Sequence, residues 1–380
     1  MSNNWIYKPL YETVELFDTF RKPINSKERA SRIIGKNKLE LYPYYGATGK
    51  VGLIDNYLIE GEYVLLGEDG APFLNPLAPK AYIISGKSWV NNHAHILRSK
   101  YNNKFLRYYL NCFDYRGYVS GTTRLKLTQA QMKQIPVPVP SLDEQERIVA
   151  RIEELFSQLD NGVETLRKTK EQLAVYRQAV LKEAFEKIPK RISLGSISES
   201  RLGKMLDREK NVGEPRHYLR NINVRWFGFD LGDLLEMRIE DSEVDKYSLR
   251  KGDLVICEGG EPGRCAVWEA DDSIFYQKAL HRVRFTDGSN PKFYMYYLWY
   301  AAQTGQLKSL FTGTGIKHLT GQSLVKIQVP TAERSTQELV VNEIESRLSV
   351  CDSIEQTMDA ALYQAEAMRQ SILKRAFEKC

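Results

Sequence analysis

The sequence predicts an α+β chain: two mostly-β lobes joined by a long antiparallel two-helix coiled coil, arranged as a pseudo-two-fold dumbbell. Three observations predict it. The first is a duplication. RQAVLKEAFEK, Arg177 to Lys187, returns as RQSILKRAFEK, Arg369 to Lys379. The same shift, 192 residues from Arg177 to Arg369, carries Leu127-Thr128 onto Leu319-Thr320, Ile135 onto Ile327, Val137-Pro138 onto Val329-Pro330 and Gln145-Glu146 onto Gln337-Glu338. An ungapped register match of this extent marks an internal repeat. The second is coiled-coil spacing before both endings, and the third is strand-like text with glycine-rich turns in the two intervening segments.

Residues 1–141 are read as the first lobe. Residues 1–35 mix aromatic and basic side chains without a clear period. From Lys38, LELYPYYGATGKVGLID alternates apolar residues and is broken by Gly46, Gly49 and Gly52. Tyr63 to Leu66, Ala81 to Ser85 and the text around WVNNHAHILRS read as strands. Asn103 to Phe113 has helical spacing at Phe105, Tyr109, Leu110 and Phe113. A small-residue loop, VSGTTRLKLT, and an extended VPVP stretch close the lobe.

Residues 142–188 are read as one helix. Ile148, Ile152, Leu155, Leu159, Leu166, Leu173, Tyr176 and Val180 follow a four-three seam, with Gly162 and Thr169 as weak positions. No proline interrupts it; Pro136, Pro138 and Pro140 stand before it and Pro189 after. Residues 189–335 repeat the outline of the first lobe. RLGKMLDREKN is expected to be a short helix or loop, and YLRNINVRWFGFDL strands with polar interruptions. GDLVICEGGEPGRCAVW matches EGEYVLLGEDGAPF, PKFYMYYLWYA matches NKFLRYYLNCF, and LFTGTGIKHLT matches VSGTTRLKLT. Residues 336–380 form the second helix, with Val340, Ile344, Cys351, Ile354, Met358, Ala361, Ala365, Met368 and Ile372 on the seam; Arg347 breaks it and Leu348 substitutes. The first helix carries the chain from one lobe to the other and the second leaves that other lobe, so side-by-side packing must be antiparallel. Such helices more commonly dimerise a protein, but here one chain supplies both.

The net charge of +6 is unevenly spread: +8 over residues 1–142, −2 over 143–188, +3 over 189–335 and −3 over 336–380. Lobes holding the positive excess suit a polyanion, and a mildly acidic rod suits protein. Five scattered cysteines (Cys112, Cys257, Cys265, Cys351, Cys380), without a CxxC pair, predict reduced thiols in a cytoplasmic protein. The first residues lack the features of a secretory leader, and no apolar run approaches the ~20 residues of a membrane span.

Several catalytic and ligand motifs fail on spacing. YGATGKVG has Gly46 three residues before Gly49, and Lys50 is followed by Val51, so it is not a phosphate loop. Gly313 to Gly315 lacks the third glycine of a dinucleotide loop. His93 and His95 have alternate spacing that points both to one strand face, but no further ligand accompanies them. No metal, cofactor or catalytic constellation is expected. What remains suits nucleic acid. Lys36, Lys38, Tyr42, Tyr44, Tyr45, Thr48 and Lys50 crowd a glycine-rich turn. Asn91, Asn92 and His93 are short polar side chains able to read base edges, and Ser120, Thr122, Thr123, Arg124 and Lys126 surround Gly121. The second lobe offers Arg220, Asn221, Asn223, Arg225 and Trp226, then Arg264, then Gln277, Lys278 and His281, and finally Thr312, Thr314, Lys317 and His318. Arg and Lys suit guanine edges and phosphates, Asn and Gln suit adenine, and hydroxyls suit either bases or phosphates. Arg124 and Lys317 are expected at the DNA backbone.

Two variable lobes, each followed by LT, an isoleucine, a proline-rich boundary, QE and a long helix ending RQ–x3–K–x–AFE, resemble the DNA-specificity subunit of type I restriction–modification systems. GDLVICEGGEPGRCAVW and LRNINVRWF resemble target-recognition text of that family. The resemblance covers the whole chain. It implies a non-catalytic subunit whose lobes each bind half of a split double-stranded DNA target. It also implies helices that set the gap and dock two methyltransferase subunits, with restriction subunits joining the full complex. The alternatives are a non-catalytic protein-binding scaffold with a coiled-coil spacer, and a degenerate DNA-modifying enzyme.

Overall fold

A computed structural model describes residues 5–207 and 209–378; Lys379 and Cys380 lie outside the described residues. The chain divides into two compact units. One comprises Met1–Lys168 with Met358–Cys380, the other Thr169–Thr357.

In the first unit a four-stranded antiparallel sheet runs in the order Val14–Leu16, Ala94–Ser99, Tyr63–Gly67, Ala81–Ile84. Tyr63–Gly67 is buried at every residue, which explains its unbroken apolar text. A second sheet orders Gly49–Ile54, Tyr42–Gly46, Lys87–Val90 and Ile59–Glu60, with one parallel pairing in its centre. Ile6–Pro9 pairs with Pro136–Val139 where the lobe meets the first long helix. Residues 1–35, unreadable by period, also hold a helix, Ser26–Ile33. Asn25 caps it by accepting from the Glu28 N–H at 2.8 Å. Its Arg29 and Arg32 stack over Tyr44 and Trp89.

The second unit repeats this plan. Its four-stranded sheet runs Ser198–Leu202, Leu280–Phe285, Leu254–Cys257, Cys265–Val267, and its smaller sheet Leu235–Ile239, Glu214–Leu219, Phe275–Tyr276, again with one parallel pairing. Arg191–Ser193 pairs with Gln328–Pro330 at its junction. The described residues of RLGKMLDREKN leave a strand and turn without becoming a helix; Arg208 lies outside the described residues.

Each long helix has 45 residues, Leu142–Glu186 and Arg334–Glu378. Segments of both lie side by side in each unit and run antiparallel. In the first unit Arg369 pairs with Asp160; in the second Arg177 reaches Asp352 and Glu355 at 2.6 and 2.8 Å, and Arg347 reaches Glu183 at 2.9 Å. Ile152, Leu173, Val180, Ile344, Cys351, Met358 and Ala365 are buried as the seam requires, and Leu348 replaces Arg347. The seam differs from expectation elsewhere. Val163 is buried beside solvent-facing Gly162, while Tyr176, Ile354 and Met368 are exposed.

The reason is that helix ends pack on the lobes as well as on each other, so the apolar stripe turns toward two partners. Val149, Ile152, Leu373 and Phe377 join the core of the first lobe. Val180, Leu181, Phe185, Val341, Ile344 and Leu348 join that of the second. Phe377 meets Phe105 and Tyr109 at ring separations of 5.2 and 5.4 Å, and Phe185 meets Phe293 and Tyr297, both at 5.4 Å. The recurring QE also has a physical role. Buried Gln145 donates to the Pro140 carbonyl at 3.1 Å and buried Gln337 to that of Ala332 at 2.9 Å, closing the turn into each helix.

Candidate nucleic-acid interface

In the first unit, four loops converge at one end of the sheets. The two-residue turn Ala47-Thr48 links two strands, and the Ala47 carbonyl lies against Gly67. The Glu68 N–H donates to His93 O at 2.8 Å, and the Leu127 N–H donates to Glu68 O at 2.7 Å. Ser120 and Lys126 exchange both backbone hydrogen bonds, at 3.0 and 2.8 Å, making the loop between them a small hairpin. This brings Thr48, Lys50, Asn92, His93, Ser120, Thr122, Thr123, Arg124 and Lys126 to one tip.

Other candidates are placed elsewhere. Lys36 pairs with Asp55, at the far end of the strand that begins at Gly49, and Lys38 follows in an exposed turn. Six residues of strand, at about 3.3 Å each, separate them from Thr48 by roughly 20 Å. Tyr44 is a core residue: only 2% exposed, its hydroxyl bonds both the N–H and the carbonyl of Ile24 at 3.2 Å. Tyr45 is half-buried against Tyr82, and burial raises its hydroxyl pKa. Asn91 is turned inward and accepts from the His93 N–H at 2.8 Å, shaping the turn. His93 and His95 do not share a strand face, because the strand begins at Ala94. His95 is fully buried, with Nδ1 2.7 Å from Asp18 and Nε2 3.1 Å from the Leu127 carbonyl. Burial works to raise the Asp18 carboxyl, but hydrogen bonds from His95, the Ile96 N–H and Gln129 outweigh it and hold it below the usual range.

The second unit builds the same tip. Glu258 N–H donates to Ala279 O at 2.9 Å, Leu319 N–H to Glu258 O at 2.7 Å, and Thr312 and His318 exchange backbone hydrogen bonds at 2.9 Å. Asn221, Lys278, Thr312, Thr314 and Lys317 stand around it, with Lys317 turned back onto the Gly313 carbonyl at 2.7 Å. Asn223 is 1% exposed and bonds Asp230 and Asp233 carbonyls, so it is part of the framework. Arg220 is drawn to Asp233 at 2.7 Å, and Arg225 to Asp230 at 3.4 Å on its own tight hairpin. Arg264 also turns inward, donating to Glu261 at 2.7 Å and to the Asn221 carbonyl at 2.9 Å. Gln277 lies on the edge that pairs with Lys204. Burial lowers the pKa of His281, whose Nε2 lies 2.9 Å from the Leu319 carbonyl as His95 does from that of Leu127.

Sequence reasoning missed Asp69, Gly70 and Glu261, which hold or seat the arginines of these tips. Nothing local signals them, because each acts on a partner brought near by folding. Among the described residues no group of three or more His, Cys, Asp or Glu is placed to hold a metal ion, and no helix is long and apolar enough to cross a membrane.

Two lobes of one topology, each closed by a long helix, are the fold of type I specificity subunits. A structure reported on complex assembly and conformational transition of the type I restriction–modification system superposes with a TM-score of 0.73 at 14% identity, covering 99% of this chain and 98% of that one. The HsdS subunit of Thermoanaerobacter tengcongensis gives 0.56 at 15% identity, covering 99% and 97%. The family described as type I restriction modification DNA specificity domain matches residues 10–174. A Haemophilus influenzae protein named as a type I restriction enzyme specificity subunit is 27% identical over 373 residues, 95% of this chain and 92% of its own. The EcoKI specificity subunit of Escherichia coli is 25% identical over 300 residues, 72% of this chain and 64% of its own. In sequence, this chain is similar to specificity subunits of type I restriction enzymes, and in fold to solved structures of type I restriction–modification systems.

Proposed function

We propose that this chain is the sequence-specific DNA-binding subunit of a type I restriction–modification complex, and that it carries out no chemistry itself. Each lobe, taken as residues 1–141 and 189–335, reads one half of a bipartite duplex target through its four-loop tip. The helices, residues 142–188 and 336–380, set the gap and dock two methyltransferase subunits; restriction subunits join the full complex in the cytoplasm. The observation that carries this reading is the repeated tip: the same backbone hydrogen bonds frame both, while the side chains they present differ. One framework with two sets of presented groups suits two half-sites of different sequence.

The test is a lobe exchange. Residues 190–315 are replaced with the matching lobe of another specificity subunit, and methylated bases are mapped in cells that also express the cognate methyltransferase. One half of the methylated motif should change and the other persist. A change in both halves, or in neither, refutes independent reading.

A further inference from the structure

The loop at each tip is the same loop carrying a different side chain. The 192-residue shift that relates the helices also places Gly121 on Gly313, Thr122 on Thr314, Arg124 on Ile316 and Leu127 on Leu319. Gly121 and Gly313 have the same backbone angle, φ +97°. A Cβ on either would strike the carbonyl oxygen three residues on, that of Arg124 or Ile316. Glycine is therefore required at both, and the loop shape is held constant. Lys317, expected from residue type to match Arg124, is the counterpart of Leu125.

At the constant position the lobes diverge together with their support. Arg124 is 59% exposed, and its Nε donates to Asp69 at 2.7 Å. Its guanidinium lies over Gly70, 3.2 Å from where a Cβ would stand at that φ of +76°. Nη2 lies 3.5 Å from His93 Nδ1. Asp69 holds the guanidinium through Nε and His93 stands beside Nη2, so the exposed head group is kept in a set orientation. In the second lobe Glu258, Gly259 and Gly260 follow Cys257 as Glu68, Asp69 and Gly70 follow Gly67. The brace is thus a glycine, and the side chain it would hold is Ile316, 73% exposed and without a donor. Arginine and its carboxylate are present together or absent together on one backbone.

We propose that Arg124 is a base-reading residue that contacts guanine in the half-site of the first lobe, with Asp69 as its positioning residue. A guanidinium offers two parallel donors that match guanine O6 and N7, and a fixed orientation lowers the entropy lost on contact. A phosphate contact requires only charge, and Asp69 would oppose it. Ile316 at the equivalent place offers only apolar contact, which suits a thymine methyl group. This inference rests on the reading that the tips face DNA.

The experiment uses the complex with its cognate methyltransferase. Motifs are mapped in cells, and binding to duplexes carrying each single base-pair change is titrated at several salt concentrations. R124K keeps the charge and loses the fork. It should relax one G·C position of the first half-site by roughly 5- to 150-fold in discrimination, with the salt slope unchanged. D69N should relax the same position several-fold while affinity for unrelated DNA holds or rises, because a negative charge has left the surface. A merely structural Asp69 would instead weaken every sequence alike. If R124K matches the parent at every position while R124A weakens all sequences equally and lowers the slope by about 1, Arg124 touches phosphate and the inference fails, with the tip still on DNA. If R124A changes neither affinity nor slope, the tip faces elsewhere and the broader reading fails with it.

Discussion

Replacing Phe377 with alanine should destabilise the first unit, although Phe377 stands in the last turn of a helix that starts at the second lobe. Its ring is 7% exposed and packs edge-on against Phe105 and Tyr109 in the core of the first lobe. A buried Phe→Ala change costs about 3–5 kcal/mol. Its counterpart Phe185 is fully buried against Phe293 and Tyr297, so F185A belongs at the upper end of that range and F377A, slightly more exposed, at the lower. With a urea m-value of about 2–3 kcal/mol per M, a loss of 3–5 kcal/mol lowers a unit's midpoint by roughly 1–2.5 M. Trp5 and Trp89 report on the first unit, and Trp226, Trp268 and Trp299 on the second. Unfolding followed by tryptophan fluorescence, with Trp→Phe variants that silence one unit at a time, assigns each shift. F377A should lower the first transition and F185A the second. F20A, half-exposed at 50%, is the control and should move neither. An F377A shift no larger than that of F20A would refute the argument that the far helix end completes the first lobe.

Adding one heptad near Lys168 and one near Ala360 keeps the four-three phase and lengthens each helix by about 10 Å, so the unspecified gap should grow by up to roughly 3 base pairs; an active variant with the parental gap, by methylome mapping, would show that the helices do not measure DNA. The Lys187 hydrogen bond, then that of Arg347, holds the Glu183 carboxyl down to about 2. A depressed carboxylate stabilises above its unfolded value near 4.5 and loses that contribution as pH falls toward 2. The destabilising effect of E183Q should therefore be present at pH 7 and vanish near pH 2, and a pH-independent difference in thermal midpoint would contradict the pairing. The purified chain alone should neither methylate nor cleave DNA; methyl transfer in the absence of a methyltransferase subunit would overturn the non-catalytic reading.

The duplication, the two long helices and the strands at Tyr63–Gly67 and Ala81–Ile84 were legible because each depends on local order: register, period and turn residues acting over a few neighbours. The equivalence of VSGTTR and FTGTGIK was legible for the same reason, since the glycine that shapes each loop acts three residues along. Tyr44 and Asn223 have the residue types of a binding surface, yet folding turns them into framework, because backbone groups distant in sequence need their hydrogen bonds. The seam could be read only in part. Spacing shows that a helix has an apolar face but not that Phe185 and Phe377 leave the helix pair to enter a lobe, while Ile354 and Met368 stay in solvent. Arg124 was visible as a cation, but Asp69 lies 55 residues earlier and reaches it only when the turn at Gly67–Gly70 packs against the loop. Local sequence determines which groups are available, and tertiary structure decides which of them are restrained, because restraint requires a partner that only folding brings near.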